Sequence, residues 1–562
     1  PLSLSLSLSL SACELSGGGN GSPRPPLTRS ELTPKPTPID PAALPQSAYR
    51  PDQDGFRVHE WGTLTSVLGS DGDTALLQAM QDGPAAQLAA ELALLAREGL
   101  LQTEGHGHWQ FRHALIRDAA YESLAARERR ALHRRAAEAL MGPFACRAAD
   151  EPELLAQHLQ ASGDAAAAHY WLQAGRRAAG QSAHVEARHL LEQGLQALAL
   201  ADAAPALLQR LQPPLLLQLG NSLLALEGYG SRAARRCFEQ ALDASGTGAA
   251  SELRFQALWG LWLGSRSSAD EQAGALQLAE QLGQQAQRSG DAAAAVQAGY
   301  ALGNNLFFLG RLQASAQALR AAAEAGERLP ASSLLARYGE HGGIAARAML
   351  SWPLALQGQA GEAQAQARQA LQQARALGQA QTLGFALTMG AVMHRHLRQP
   401  AQALPLCQEL LALADKHDLA LWRAVGALVL GWVRAQQGEP EGLSLIEQAV
   451  AASAVAMPST EPTFLSFLIE AQLRLGLHEA ALARADEALT KAPERQELYL
   501  LPELWRMRAQ AAQACGADAA TVDKLLDQAL AAARQMGAEL LWQRCMAQRS
   551  APVHTQTPGI QR

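Results

Sequence analysis

The chain has 562 residues and a formal net charge of −6, so its charge gives no reason to expect a nucleic-acid partner. Hydrophobic residues make up 48% of the sequence but aromatic residues only 5%, and the abundant Ala and Leu favour closely packed helices. The six cysteines include no CxxC pair, which leaves no zinc motif and no disulfide framework.

Residues 1–55 form a low-complexity segment rich in Ser, Pro and Gly. Such a segment cannot bury enough apolar surface to fold, so we expect it to be disordered. Within it, the stretch from Leu10 to Cys13 resembles a bacterial lipoprotein box, in which the cysteine is lipidated. Two interpretations stay open: Cys13 is a lipidation site that anchors the protein to a membrane, or the segment is a plain low-complexity tail.

Residues 56–73 predict a short β segment of separate origin. Apolar residues alternate with other residues here, which indicates a short pair of strands. The alternating positions are Phe56, Val58, Trp61, Leu64 and Val67. The string resembles the opening strand of an exported bacterial family whose members begin with a VHEWGTFTS-type motif.

Residues 84–145 predict a small winged-helix-like domain. A helical pattern over 86–98 is followed by two short strands, Leu100–Gln102 and Trp109–Arg112, and then by a long helical run that begins at His113. Basic residues late in that run are interleaved with acidic ones. We interpret them as a solvated helix face and expect no nucleic-acid partner.

A two-helix phrase recurs from about residue 150 to 549, with a period near forty residues. Its turn residues are 48, 40, 40, 38 and 40 positions apart, and they are Gly310, Gly358, Arg398, Gly438, Gly476 and Gly516. In the clearest copy we predict helix A over 419–437 and helix B over 440–453. A glycine between them supplies the positive φ that ends helix A.

We therefore predict an all-α protein: a tetratricopeptide-like α-α superhelix, preceded by the winged-helix-like domain and the disordered N-terminal segment. We expect about nine or ten hairpins in a right-handed superhelix, with the A helices on its concave face. The tail, 550–562, is expected to be disordered. Pro353 lies within a helical run, and we interpret the longer 48-residue spacing as its effect.

The string FRHALIRDAAYESLAARERRALHRRAAEAL, at 111–140, closely resembles the sequence that follows the ATPase core in bacterial signalling ATPases of the STAND class. The resemblance continues in order over residues 84–548 and includes LGNNLFFLGRL at 302–312. These relatives carry adenylate/guanylate cyclase or Ser/Thr kinase domains, and tetratricopeptide-like repeats follow their ATPase. The resemblance implies a sensor and scaffold half that binds a protein or small-molecule signal and relays it to a linked module.

The chain contains no GxxxxGK[ST] phosphate-binding loop and no cyclase or kinase motif. We therefore expect no enzyme activity and no cofactor in this chain, with ATP or ADP bound only by an upstream ATPase domain. The resemblance implies that His113, where the wing meets the next helix, would sense the nucleotide when such a domain is present.

Polar residues on the predicted A helices are candidates for a ligand groove. They are Asn304, Asn305, Arg347, His394, His396 and Arg423. Side chains of these types suit an extended peptide or a partner loop, and they equally suit a solvated helix face. We expect protein or peptide partners, with self-assembly as a further option.

Three functions are compatible with these observations. The first is the cytoplasmic sensor half of a signalling ATPase, which the resemblance favours. The second is an exported lipoprotein, anchored in the membrane through Cys13, whose repeats assemble an envelope complex. The third is a transcription regulator with repeats.

Overall fold

The computed structural model describes residues 62–81, 83–104, 107–245, 252–267, 269–456 and 460–550. Most of this part of the chain is helical, and its helices stack as a tetratricopeptide-like superhelix behind a small winged-helix-like unit. The predicted fold class is confirmed. The N-terminal segment with Cys13 and the C-terminal tail lie outside the described residues.

The N-terminal unit combines helices with a small antiparallel sheet. Its elements are α1 (62–68), β1 (Asp71–Asp73), α2 (Thr74–Ala79), α3 (Ala85–Arg97), β2 (Leu101–Glu104), β3 (His108–Phe111), α4 (Ala114–Ser123) and α5 (Ala126–Met141). The strand order in the sheet is β1-β3-β2. The winged-helix-like unit therefore consists, in chain order, of a helix, a strand, two helices and a two-stranded wing.

This unit begins earlier than the predicted boundary at residue 84. Gly72 in β1 lies opposite Trp109 in β3, so β1 is an edge strand of the wing sheet. The strand predicted through Leu64 and Val67 is wrong, because residues 62–68 are helical. The i, i+3 spacing of these two buried residues suits one face of a helix. From residue 62 onward, the predicted separate β segment is part of the winged-helix-like unit.

The long helical run predicted from His113 is divided into two helices. Leu124 and Ala125, between α4 and α5, have extended backbone conformations. Leu124 is buried, and the Glu128 carboxylate accepts a hydrogen bond of 3.2 Å from the Ala125 N–H. Burial of an apolar residue and capping of the next helix together stabilise the break.

The repeat region consists of helices that pair as antiparallel hairpins. Their bounds are α6 (Ala145–Asp150), α7 (Pro152–Ser162), α8 (Ala167–Gly180), α9 (His184–Leu200), α10 (Pro205–Glu227), α11 (Arg232–Ala244), α12 (Glu252–Leu263), α13 (Ala269–Ser289), α14 (Ala292–Phe308), α15 (Leu312–Glu327), α16 (Ala331–Tyr338), α17 (Gly342–Leu356), α18 (Ala360–Leu377), α19 (Ala380–His396), α20 (Pro400–His417), α21 (Ala420–Gln436), α22 (Glu441–Ala456), α23 (Glu461–Arg474), α24 (His478–Glu494), α25 (Leu501–Ala514), α26 (Ala519–Met536) and α27 (Glu539–Ser550). The described chain holds nine hairpins of this kind: α8/α9, α10/α11, α12/α13, α14/α15, α17/α18, α19/α20, α21/α22, α23/α24 and α25/α26.

The turns between A and B helices form as predicted. The φ values are 73° at Gly310, 84° at Gly358, 56° at Arg398, 85° at Gly438, 77° at Gly476 and 89° at Gly516. Such values favour glycine, because a side chain at positive φ is strained. The clearest unit has its helices at α21 and α22, within a few residues of the predicted bounds.

The 48-residue spacing has a different cause from the one we predicted. An additional short helix, α16, lies between α15 and α17 and lengthens that repeat. Pro353 lies inside α17 and does not end it. The interpretation that Pro353 causes the longer spacing is therefore wrong.

Two hydrophobic cores share one helix. The N-terminal core runs from Leu64 to Leu261 and joins the winged-helix-like unit to the first repeats, and the C-terminal core runs from Phe255 to Leu541. Helix α12 lies between them. It gives Ala257 and Leu261 to the N-terminal core, and Phe255, Leu258, Trp259 and Trp262 to the C-terminal core.

The last repeat packs back onto the middle of the superhelix. Helix α27 packs against α17, and the Tyr499 ring lies 4.4 Å from the Phe307 ring between centroids. The Arg544 guanidinium donates a hydrogen bond to the His396 carbonyl oxygen. These contacts close the superhelix around its inner surface.

Candidate functional site

An aromatic cavity lies on the inner surface of the superhelix, where six A helices converge. Residues from α12, α14, α17, α19, α21 and α23 line it, together with Tyr229 from the turn after α10. Its aromatic residues are Tyr229, Trp262, Tyr300, Phe308, Trp352, Phe385, Trp422, Phe464 and Phe467. The prediction that A helices form the concave face agrees with this arrangement.

The lining of the aromatic cavity is rich in aromatic rings and carries no formal charge. It holds nine of the chain's 27 aromatic residues, and none of its described lining residues is Asp, Glu, Lys, Arg or His. The cavity encloses about 810 Å³ of empty space, its open mouth included. A concave apolar cavity with a few polar groups is the usual form of a small-ligand site.

Regular spacing along the A helices positions these side chains. In α21, Trp422, Val425 and Leu428 recur at helical spacing and form part of the cavity wall. Hydrogen bonds fix two of the indoles: the Trp422 Nε1 donates to Gln381 Oε1 at 2.7 Å, and the Trp352 Nε1 donates to the Met389 carbonyl oxygen at 2.8 Å. The cavity wall is therefore pre-formed.

Two polar groups in the lining have no hydrogen-bond partner in the described part of the chain. They are Nε1 of Trp262 and Oγ1 of Thr388, and both side chains are more than nine-tenths buried. A buried polar group without a partner costs about 1–3 kcal/mol. A ligand that carries a hydrogen-bond acceptor would recover that cost at the indole N–H.

A closing cluster of buried ion pairs lies further along the same inner surface. We use this name for Arg395, Glu470, Glu503, Arg506 and Arg544. Glu470 lies 3.0 Å from Arg395, and Glu503 lies 2.8 Å from Arg506 and 3.6 Å from Arg544. Burial alone would raise the pKa of Glu503. The positive charges of Arg506 and Arg544 outweigh this effect and hold that pKa well below its usual range.

His396 lies beside the closing cluster and is buried. Burial, with further contributions from Arg395 and Arg544, lowers its pKa to about 3. Its ring packs edge-to-face on the Trp352 ring, with 5.5 Å between centroids. The imidazole is therefore neutral at neutral pH, and it borders a small cavity at the closing cluster.

The six polar residues proposed for a ligand groove do not line one groove. Asn304 borders the aromatic cavity, whereas His396 borders the small cavity at the closing cluster. Asn305 is buried and donates to the carbonyl oxygens of Ala275 and Ala301 at 3.3 and 2.9 Å. Its amide therefore joins two neighbouring helices.

The other three of these residues are engaged within the chain and lie away from the aromatic cavity. Arg347 pairs with Glu327 at 2.7 Å and donates to Gln366 at 2.8 Å, both on B helices. His394 Nδ1 lies 2.8 Å from Gln399 Oε1 in the following turn. Arg423 is partly exposed and pairs with Asp415 and Asp418 at 2.9 and 3.1 Å. These contacts stabilise the repeats themselves.

His113 occupies the position just before α4 and is exposed. Its side chain makes no hydrogen bond that caps the helix. A nucleotide-sensing role for it stays a prediction that depends on an adjoining ATPase domain. Cys13, the candidate lipidation site, lies outside the described residues.

The aromatic residues of the cavity were not among the predicted site residues. An apolar stripe on an A helix predicts core, and most of these side chains are indeed buried. Enrichment of aromatic residues on the A helices could have identified them from the sequence. In a chain with 5% aromatic residues, successive A helices each carry Trp, Tyr or Phe on the same face.

Two further findings concern the part of the chain that the structure describes. It contains no helix that is both long and apolar enough to span a bilayer. The described residues also contain no group of three or more His, Cys, Asp or Glu side chains arranged to hold a metal ion.

No family model matches the chain. An uncharacterized protein of Rhizobium meliloti (strain 1021) is 29% identical over 216 residues, which are 37% of this chain and 21% of that protein. The chain thus spans about a fifth of the length of the curated relative it matches.

Two solved structures are similar to parts of the chain. A Rap protein complexed with competence and sporulation factor has a TM-score of 0.48 at 12% identity, over 68% of this chain and all of that one. A STAND protein with a tetratricopeptide repeat sensor from Pyrococcus horikoshii has a TM-score of 0.33 at 10% identity, over 88% of this chain and 64% of that one. These values are too low to establish a shared function.

Proposed function

We propose that this chain is the non-catalytic sensor half of a bacterial signal-transduction ATPase. The observation that carries the proposal is the aromatic cavity, which six A helices build on the inner surface of a closed superhelix. Its signal would be an uncharged apolar group, presented by a small molecule or by a protein or peptide partner. ATP or ADP would be bound only by a linked ATPase module.

The packing of α12 supports a relay from the cavity to the N-terminal unit. Trp262 of α12 lines the aromatic cavity, while Leu261 of the same helix lies in the N-terminal core. That core extends to Leu64 in the winged-helix-like unit. Because cores are closely packed, a ligand that shifts α12 would move the residues on its opposite face.

A fluorescence titration tests ligand binding. N-phenyl-1-naphthylamine is uncharged and aromatic, and its emission rises in apolar surroundings. Trp422 and Trp432 are buried on the same helix, but only Trp422 lines the cavity. We expect Trp422→Phe to weaken binding about 2- to 10-fold, because the smaller ring makes less aromatic contact, and Trp432→Phe to leave it unchanged. Equal effects of the two substitutions would contradict the proposal.

Sequencing of the genomic locus upstream of the first codon tests the link to an ATPase. We expect an open reading frame with a GxxxxGK[ST] loop, in the same gene or its neighbour. An uninterrupted export signal with lipidated Cys13, detected by mass spectrometry, would instead support the envelope lipoprotein and overturn the sensor assignment.

A further inference from the structure

A second, polar cavity adjoins the aromatic cavity. It encloses about 1510 Å³ of empty space, including its mouth, and it lies where the first repeats meet α16 and the start of α19. Tyr229 and Leu263 line both cavities. Gln381 in the polar cavity also accepts the hydrogen bond from Trp422 in the aromatic cavity. The two cavities therefore adjoin each other.

The polar cavity contains buried hydroxyl groups without partners. Oγ of Ser222 and Oη of Tyr338 make no hydrogen bond within the described part of the chain, and their residues are 0% and 2% exposed. Each hydroxyl can donate and accept. A ligand that brings hydroxyl groups against them would satisfy both.

The charges in the polar cavity favour a neutral ligand. Arg176 and Glu340 have opposite formal charges, and the remaining polar lining consists largely of amides and hydroxyls. Asn221 and Gln218 are examples, and their amides both donate and accept. Groups that donate and accept alike suit a head that bears several hydroxyls.

We infer that the aromatic and polar cavities form one bipartite site for an uncharged amphipathic molecule. Its aromatic group lies in the aromatic cavity, where an acceptor atom meets Trp262 Nε1. Its hydroxyl-bearing head lies in the polar cavity and bonds to Ser222 and Tyr338. This inference rests on the proposed function and adds the chemical class of the ligand.

The position of the bipartite site gives such a ligand an effect on the fold. Leu263 and Tyr229 pack against both hydrophobic cores, and they lie at the boundary of the two cavities. A molecule that fills both cavities would contact the first repeats through Ser222 and the later ones through Tyr338. Its head therefore holds the first repeats and the later ones at one relative orientation.

Competition against N-phenyl-1-naphthylamine tests the inference with three probes: 1-naphthol, glucose, and 1-naphthyl β-D-glucopyranoside, which joins the two. We expect the glucoside to bind about tenfold tighter than 1-naphthol, as two additional hydrogen bonds would give. Tyr338→Phe and Ser222→Ala should each reduce this advantage and leave the affinity for 1-naphthol unchanged. Ser351→Ala is the matched control, because Ser351 is buried elsewhere and its hydroxyl donates to the Ala348 carbonyl oxygen at 2.6 Å.

The outcomes separate the two proposals. If the glucoside binds no tighter than 1-naphthol, or if its advantage persists in both variants, the bipartite site is overturned and the aromatic cavity stands. If neither N-phenyl-1-naphthylamine nor 1-naphthol binds, the proposed function fails as well.

Discussion

The aromatic cavity and the closing cluster share the inner surface of the superhelix but differ in how their polar groups are satisfied. In the closing cluster, carboxylates and guanidinium groups pair within 3.6 Å and tie α25 and α27 to their neighbours. In the aromatic cavity, an indole N–H and a threonine hydroxyl are buried without partners in the described chain. Charge is present in the first region and absent from the lining of the second.

This difference separates groups that stabilise the fold from groups that await a ligand. Buried charges persist only when their partners are in place, so the closing cluster is structural. Unsatisfied polar groups in a cavity cost stability and are tolerated where a ligand or water can bond to them. The predictions below test the contrast, beginning with the largest expected effect.

Glu503→Gln should strongly destabilise the protein. The substitution removes the negative charge that faces Arg506 and Arg544 in a buried setting. Loss of one partner from a buried pair costs about 3–5 kcal/mol of unfolding free energy. Glu409→Gln, which affects the partly exposed pair with Arg375, should cost less than about 1 kcal/mol. Urea unfolding of both variants measures the difference, and similar costs would show that the closing cluster is not structural.

Acid should destabilise the protein through His396 before the carboxylates titrate. Its pKa is about 3 when folded and 6.5 in the reference state, so the unfolded chain binds more protons between these values. The contribution of neutral His396 to the unfolding free energy is fully present above pH 6.5 and is lost as the pH falls toward about 3. Between pH 6.5 and 5, the unfolding free energy of His396→Gln should therefore fall less steeply than that of the wild type. Parallel pH profiles would mean that His396 does not titrate as a buried group.

The smallest expected changes in stability come from two threonines near the aromatic cavity, and they are opposite in sign. Thr388→Val removes a hydroxyl without a partner in the described chain and should stabilise the protein by about 1 kcal/mol. Thr463→Val removes a hydroxyl that lies 2.9 Å from both Glu497 Oε2 and Tyr499 Oη, and it should destabilise by about 1–3 kcal/mol. Thermal unfolding shows whether each substitution stabilises or destabilises the protein. A destabilised Thr388→Val would show that this hydroxyl has a hydrogen-bond partner.

Local features of the fold could be predicted from the sequence because their causes are local. A turn glycine such as Gly438 marks the end of an A helix through its positive φ, wherever the helix packs. The helix bounds around it follow from apolar spacing over a few turns. The strands of the wing, at 101–104 and 108–111, follow in the same way from a short alternation around a turn.

Features that depend on distant partners could not be predicted. β1 has only three residues, Asp71–Asp73, and its strand conformation depends on pairing with β3 some forty residues later. The same applies to the site. The sequence makes Asn305 a candidate ligand residue, but its amide donates to the Ala275 carbonyl oxygen in another helix. The aromatic residues converge only when six A helices stack, so each of them separately resembles core.

The most direct test of the central claim is a titration with N-phenyl-1-naphthylamine and with its sulfonated analogue, 1-anilinonaphthalene-8-sulfonate. The uncharged lining of the aromatic cavity predicts tighter binding of the uncharged probe, with one molecule per chain. Val392→Phe, which fills the cavity, should weaken that binding about tenfold or more, whereas Val185→Phe on the exposed face of α9 should not. Equal affinity for both probes, or wild-type binding by Val392→Phe, would contradict the assignment of this cavity as the ligand site.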